Sequence, residues 1–183
     1  SDPLNLDVNN AQLGHTFYDA ERVFYQIADF TKDASWLVPA RNAEIVYRDN
    51  YVLPNNGVLL GYWNFGTGLA IDYLRTGDTQ SLKALTLLSQ NGAYLPDTTT
   101  LSWTADQSRS REVAYAILTL LSSEDAGLPR RTRVEQFVDQ ALGHIDQWFV
   151  QKSAAYYMPF MVGLTSEALI AWYQKTGDAR VIP

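Results

Sequence analysis

The densest group of polar side chains lies between Trp103 and Glu112, where the chain reads Trp-Thr-Ala-Asp-Gln-Ser-Arg-Ser-Arg-Glu. The carboxylates Asp106 and Glu112, together with Asp19, are candidates for acid-base catalysis. Glycoside hydrolysis needs two such groups flanking the scissile bond, one of them an acid with a raised pKa. No spacing selects a pair from these three, and Asp106 could instead cap the helix that follows it. We predict all three as catalytic candidates.

Two arginines and one histidine could bind a substrate. Arg109 and Arg111 could each hold a uronate carboxylate through two parallel hydrogen bonds. Arg109 could equally form an ordinary surface pair with Glu112, three residues along a helix. His15 precedes the first predicted helix and could be a base or a sugar ligand, or only a helix-start residue. His144 is predicted on the solvated face of a later helix.

Aromatic side chains are abundant, with 5 Trp and 11 Tyr in 183 residues. An excess of aromatic surface is common where sugar rings or other flat apolar faces are stacked. Taken singly, each ring could belong to the core or to its rim. The rings that cluster at the entrances of successive helices, and that we predict as stacking platforms, are Tyr62, Trp63, Trp103, Tyr156 and Tyr157.

Other classes of chemistry find little support in the sequence. Two distant histidines and no cysteine do not make a metal site. Nucleotide-binding, serine-hydrolase and zinc-protease motifs do not occur. We therefore predict no metal and no cofactor. A net charge of −6 without a long Lys/Arg run argues against nucleic acid as a partner. No apolar run approaches the roughly 20 residues of a membrane span.

A repeated signature indicates how these residues are positioned. Residues 69–78 read Leu-Ala-Ile-Asp-Tyr-Leu-Arg-Thr-Gly-Asp, and residues 168–178 end in the same Thr-Gly-Asp, with looser copies ending at Asp33 and Asp125. Glycine suits the left-handed position after a helix, and aspartate suits the cap that opens the next helix. Copies about every 50 residues are typical of helical-hairpin repeats.

The periodicity predicts seven helices after an N-terminal arm at residues 1–11. Helices that precede a Thr-Gly-Asp turn should form an inner layer, and those that follow it an outer layer. The fifth and seventh helices are apolar nearly all round, which predicts burial on most sides. An eighth helix should open at Asp178. The predicted helices span approximately residues 12–30, 34–51, 61–75, 79–91, 105–122, 129–150 and 158–175.

This alternation, with its recurring Leu/Ala-x-x-x-Tyr-x-x-Thr-Gly-Asp, resembles the (α/α)-toroid, or six-hairpin, glycosidase-like superfamily. That group includes unsaturated glucuronyl and rhamnogalacturonyl hydrolases, N-acylglucosamine 2-epimerases and polysaccharide lyases. The resemblance implies an all-α, two-layer array of helical hairpins over residues 12–183. It would be incomplete, with about three and a half hairpins, and would be the N-terminal part of a larger toroid.

The resemblance also implies a carbohydrate-active protein that hydrolyses or cleaves an oligo- or polysaccharide by carboxylate chemistry. The alternative is a helical-repeat module that binds a glycan or a protein without catalysis. A toroid would gather several candidates in one concavity, with the two tryptophans as removable stacking platforms. Those residues are Trp63, Trp103, Asp106, Arg109 and Glu112.

Two further expectations concern partners and location. The last hairpin lacks its second helix, so the apolar side around Trp172 and Tyr173 should be exposed and favour self-association. The absence of cysteine fits a bacterial envelope or secreted protein as well as a cytoplasmic one, and we slightly favour a periplasmic or secreted location.

Overall fold

The computed structural model describes residue 16 and residues 18–182, which are all-helical and contain no strand. This confirms the predicted fold class, whereas the N-terminal arm lies outside the described residues. None of the described helices is long and apolar enough to cross a membrane. The seven α-helices of the described residues are α1 (Ala20–Thr31), α2 (Leu37–Tyr47), α3 (Gly66–Thr76), α4 (Thr79–Asn91), α5 (Ser110–Asp125), α6 (Arg133–Phe149) and α7 (Pro159–Thr176).

The main departures from the predicted bounds are short turns of other helix types. A π-helix at Arg48–Val52 continues α2. Separate 3-10 turns at Gly61–Trp63 and Gln107–Arg109 delay the starts of α3 and α5 by about five residues. The expected eighth helix is a single 3-10 turn at Ala179–Val181. Such turns carry no 3.6-residue periodicity, so hydrophobic spacing does not separate them from the helix they adjoin.

The Thr-Gly-Asp turns have the geometry that their residue types predict. Gly77 takes a left-handed conformation, with φ +73°, and its amide donates to the carbonyl of Tyr73 at 2.8 Å. The Asp78 side chain then accepts from the amide of Gln80 at 2.9 Å and caps α4. Residues 176–178 repeat this arrangement at the end of α7. One helix therefore ends and the next begins within two residues.

The helices alternate between two layers. α1, α3, α5 and α7 pack against one another in that order. α2 covers α1, α4 covers α3 and α5, and α6 covers α5 and α7. α5 touches helices of both layers and is buried along most of its length, as predicted.

The prediction that α7 is buried on most sides is wrong. Only one face of this helix is buried, and Ile170 on another face is 52% exposed. Trp172, predicted to be uncovered, is 5% exposed and its indole N–H donates to Asp178. The exposed apolar surface near the C-terminus is formed instead by Ile170 and Ile182. Self-association through that surface stays a prediction.

The prediction for His144 is also wrong. Its ring is fully buried, and Nε2 lies 2.9 Å from the carbonyl oxygen of Thr104. The 3-10 turns at Leu101–Thr104 and Gln107–Arg109 lie over α6 and cover the face that the sequence assigned to solvent. Burial lowers the pKa of His144, so this residue is a neutral structural hydrogen-bonding group.

Candidate functional site

A cavity of about 230 Å³ lies between the four inner helices, towards their N-terminal ends. All four helices contribute to its wall, so side chains distant in sequence meet there. Its charged groups lie at the start of α1 and on α7, and its aromatic groups include Phe65 just before α3 and Tyr115 on α5. The lining residues used below are Tyr18, Asp19, Arg22, Phe65, Tyr115, Leu164 and Glu167.

Asp19 is the acidic residue immediately before α1. It caps that helix and is only 8% exposed. The amide of Gly68, in the first turn of α3, donates to its two carboxylate oxygens at 3.2 and 3.0 Å. Burial raises the pKa of Asp19 to about 6, although the Gly68 amide and the charge of Arg22 oppose the shift. About half of the Asp19 carboxyl groups therefore carry a proton at pH 6, and about a tenth at pH 7.

The backbone around Asp19 is specialised for this placement. Tyr18 and Asp19 both have left-handed φ values, 57° and 59°, which non-glycine residues seldom adopt. Gly68 allows the carboxylate to approach α3 closely. A Cβ at residue 68 would lie 2.4 Å from Oδ1 of Asp19 and 2.8 Å from Oε2 of Glu21. A glycine at this point in α3 is therefore required by the contact.

An ion pair lies beside Asp19 in the same cavity. The Arg22 guanidinium on α1 binds the Glu167 carboxylate on α7, 145 residues away in sequence. Their side chains are 25% and 37% exposed. Asp19 and Glu167 are the two acidic residues of the cavity wall, and Arg22 is the basic one. With Asp19 ionised the cavity has an excess of negative charge, which disfavours an anionic ligand.

Tyr115 places a buried hydroxyl at the cavity. Its ring packs edge-on against Phe65, with centroids 5.1 Å apart. The hydroxyl finds no hydrogen-bond partner among the described residues, although the side chain is only 6% exposed. Burial raises the pKa of Tyr115, which keeps the proton on its oxygen. A buried hydroxyl without a partner beside a cavity is suited to bind a polar group of a ligand.

A second acidic cluster lies behind Asp19. Glu21, Glu44 and Asp72 place one carboxylate oxygen each within 4.8 Å of one another, a spacing that could hold a metal ion. However, the oxygens of Glu44 and Asp72 already accept bonds from donors on α1, α2 and α4. Burial, with the charges of Asp19 and Asp72, raises the pKa of Glu21 well above its usual range. The donors are Tyr25, Arg41, Arg48 and Ser81.

The carboxylates predicted at the start of α5 have structural partners. Asp106 is exposed and accepts from the amide of Ser108 at 2.9 Å. Hydrogen bonds from the side chain and the amide of Ser108 lower the pKa of Asp106. It caps the 3-10 turn at Gln107–Arg109, so its capping role is the one observed. Glu112 is 3% exposed, with Arg111 3.0 Å away and Arg109 4.0 Å away. The two arginines are therefore close to a carboxylate of the chain itself.

The predicted aromatic platforms separate into buried and exposed rings. Trp63 is 1% exposed and packs on Phe65 in the core, so its assignment as a stacking platform is wrong. Tyr62 is half-buried beneath the Arg111 guanidinium, 5.1 Å from the ring centroid. Trp103, Tyr156 and Tyr157 are 65%, 46% and 51% exposed. His15 lies outside the described residues.

The expected concavity with Trp63, Trp103, Asp106, Arg109 and Glu112 is therefore not formed, because Trp63 is in the core whereas Trp103 is on the surface. Of the predicted catalytic residues, only Asp19 lines the central cavity. Arg22, Tyr115 and Glu167 were not predicted. They lie inside amphipathic or apolar helices, and their one common signal is a polar group on the inner-layer face.

Comparison of the chain with protein-family models, with curated proteins and with solved structures finds no match. The chemistry of the central cavity is therefore inferred from its own residues.

Proposed function

We propose that the chain binds a neutral oligo- or polysaccharide in the central cavity and cleaves it, with Asp19 as general acid. The observation that carries this proposal is the pairing of a buried carboxylic acid with a second carboxylate, Glu167, in one cavity wall. Hydrolysis of a glycosidic bond requires two carboxyl groups in different protonation states. The hairpin repeat, with its resemblance to toroid glycosidases, supports the same substrate class.

The residues have separate roles in this proposal. Asp19 has a pKa near 6, so it can protonate the leaving oxygen at a mildly acidic or neutral pH. Glu167, in its ion pair with Arg22, supplies the second carboxylate. Tyr115 offers its hydroxyl to a sugar hydroxyl. Glu112 is not retained as a catalytic residue, because it does not line the central cavity.

The alternative is a helical-repeat module that binds a glycan or a protein without cleaving it. The exposed rings of Trp103, Tyr156 and Tyr157 favour this alternative, because exposed aromatic side chains are common in binding surfaces. The two proposals place the ligand differently. The enzyme requires Asp19 in the central cavity, and the module requires the rings on the surface.

The test measures reducing ends released from neutral and acidic oligosaccharides by the wild type and by Asp19→Asn, Glu167→Gln and Asp106→Asn. We expect release from neutral substrates, reduced by about a hundredfold or more in the first two variants, as for the loss of an acid or base. Asp106→Asn is the control and should retain activity, since Asp106 only caps a turn. Full activity in Asp19→Asn would exclude the proposed mechanism. Binding without cleavage, abolished by Trp103→Ala, would favour the module.

A further inference from the structure

A second cavity of about 520 Å³ continues from the first along the inner helices. Its wall combines the hydroxyl and amide groups of Ser122, Ser166 and Gln174 with apolar side chains such as Leu121 and Ile170. Both cavities therefore share a wall. The residues common to the two linings are Arg22, Gln26, Thr67, Leu118 and Glu167.

The second cavity reaches further than the first towards the C-terminal ends of three inner helices. On α5 the first cavity is lined by Tyr115 and Leu118, and the second extends to Asp125. The second lining also extends to Ile71 on α3 and to Gln174 on α7, whereas on α1 both linings end at Gln26. At 1.5 Å per residue, the step from Tyr115 to Asp125 is about 15 Å along the helix axis. The two cavities are thus successive levels between parallel helices.

The Arg22–Glu167 ion pair lies where the two levels meet, because both residues line both cavities. Within residues 18–182, it is the one hydrogen bond or ion pair that joins α1 to α7. Both side chains are partly exposed, and ion pairs of this kind contribute little to stability. Breaking the Arg22–Glu167 ion pair, which separates the two cavities, therefore costs little free energy.

We propose that the two cavities form one channel for an extended neutral saccharide, with subsites on both sides of the Arg22–Glu167 pair. The proposal rests on the proposed function and adds the length of the ligand to it. A cavity of 230 Å³ is below the roughly 300–1,000 Å³ of ordinary ligand pockets, whereas the second cavity of 520 Å³ extends the site into that range. The mixed polar and apolar wall suits sugar rings, which have hydroxyl edges and apolar faces.

Gly163 gives a direct test because it lines only the second cavity. No atom lies within 4 Å of the Cβ that a side chain would place there. Gly163→Phe should therefore fill the second cavity without a clash at Cβ, and a residue with better helix propensity than glycine stabilises a helix interior. Gly143→Phe is the matched control. Gly143 also lies inside a helix with open space at Cβ, but it lines neither cavity.

The experiment titrates the full chain with β-linked gluco- and manno-oligosaccharides of two and six units. We expect the wild type and Gly143→Phe to bind the six-unit chain at least tenfold more tightly than the two-unit chain. Gly163→Phe should lose that advantage and bind the two-unit chain normally. Gln174→Trp, at the exposed rim of the second cavity, should act in the same direction and does not depend on the helix interior.

Two different failures can be told apart. If Gly163→Phe and Gln174→Trp are folded and keep the tenfold preference, the channel is excluded while saccharide binding in the first cavity stands. If the wild type binds neither length of either series, the proposed function fails and the channel fails with it.

Discussion

At Asp19, several unfavourable features occur in one residue. The carboxylate is almost fully buried, and it follows a second left-handed residue, Tyr18. Left-handed non-glycine residues cost on the order of 1–3 kcal/mol each, and they persist only where the surroundings fix them. Gly68 provides that fixation through its amide. Such a combination is typical of positions where function opposes stability.

We predict that Asp19→Asn stabilises the fold at neutral pH while it lowers cleavage by about a hundredfold or more. The pKa of Asp19 rises from 3.8 to about 6 on folding, so the group's contribution to stability is fully present below pH 4 and is lost as the pH rises through 6. The shift corresponds to about 3 kcal/mol. Asparagine does not ionise and keeps an oxygen for the Gly68 amide. Urea unfolding should show that the free energy of unfolding of the variant, relative to that of the wild type, increases from pH 4 to pH 7.

Asp106→Asn serves as the control for this measurement. The pKa of Asp106 is lowered by Ser108, so its contribution is present above the unfolded pKa and is lost as the pH falls. The difference in free energy of unfolding between Asp106→Asn and the wild type should change little between pH 4 and pH 7. Asp106→Asn should not become more stable than the wild type. If Asp19→Asn differs from the wild type by the same free energy of unfolding at both pH values, the pKa of Asp19 is not raised in the folded protein.

At the scale of elements, the sequence predicts the helices better than the site. Apolar spacing and the Thr-Gly-Asp turns locate all seven helices and their alternation between layers. The helix starts are less well predicted, because Gly61–Trp63 and Gln107–Arg109 form separate 3-10 turns. These turns also bury Trp63 and cover His144, which explains the two main errors in predicted exposure.

The site residues were harder to predict for a physical reason. Asp19 was accessible to sequence analysis because it is a carboxylate in the first predicted inner helix. Arg22 and Glu167 lie inside α1 and α7, and only the tertiary arrangement of the inner layer brings their side chains together. Which face of a helix surrounds a cavity depends on the crossing of all four inner helices. Hydrophobic periodicity along one helix does not contain that information.

A pair of tryptophans tests the revised placement of the aromatic side chains. Trp63→Ala should lower the free energy of unfolding by about 3–5 kcal/mol, because a fully buried ring leaves a cavity. Trp103→Ala should change it by less than about 0.5 kcal/mol, since the ring is on the surface. Denaturant unfolding with far-UV circular dichroism measures both. Equal effects for the two substitutions would contradict the burial described for Trp63.

At the scale of the whole molecule, the inner layer brings its first and last helices together. α1 and α7 both border the two cavities, and the Arg22–Glu167 pair joins them across 145 residues of sequence. The other inner contacts join helices that follow one another in the layer. The boundary between α1 and α7 is therefore the part of the channel wall that opens most easily.

A double-mutant cycle measures the interaction energy between Arg22 and Glu167. Arg22→Ala, Glu167→Ala and the double variant should give a coupling energy below about 1 kcal/mol, since partly exposed ion pairs seldom exceed it. The coupling should weaken further at high salt. Urea unfolding of the four proteins gives the value. A coupling energy above about 2 kcal/mol would mean that the Arg22–Glu167 ion pair stays formed and keeps the two cavities separate.

The position of Glu167 and Leu164 in the cavity wall has a consequence for biosynthesis. Both residues belong to α7, so the ribosome must make about 40 residues after α5 before the wall can close. At about 5–20 residues per second this takes several seconds, whereas helical hairpins form in far less time. The earlier hairpins can thus fold on the nascent chain before the cavity wall is complete. The ion pair between Arg22 and Glu167 forms last, when the emerging α7 supplies the carboxylate.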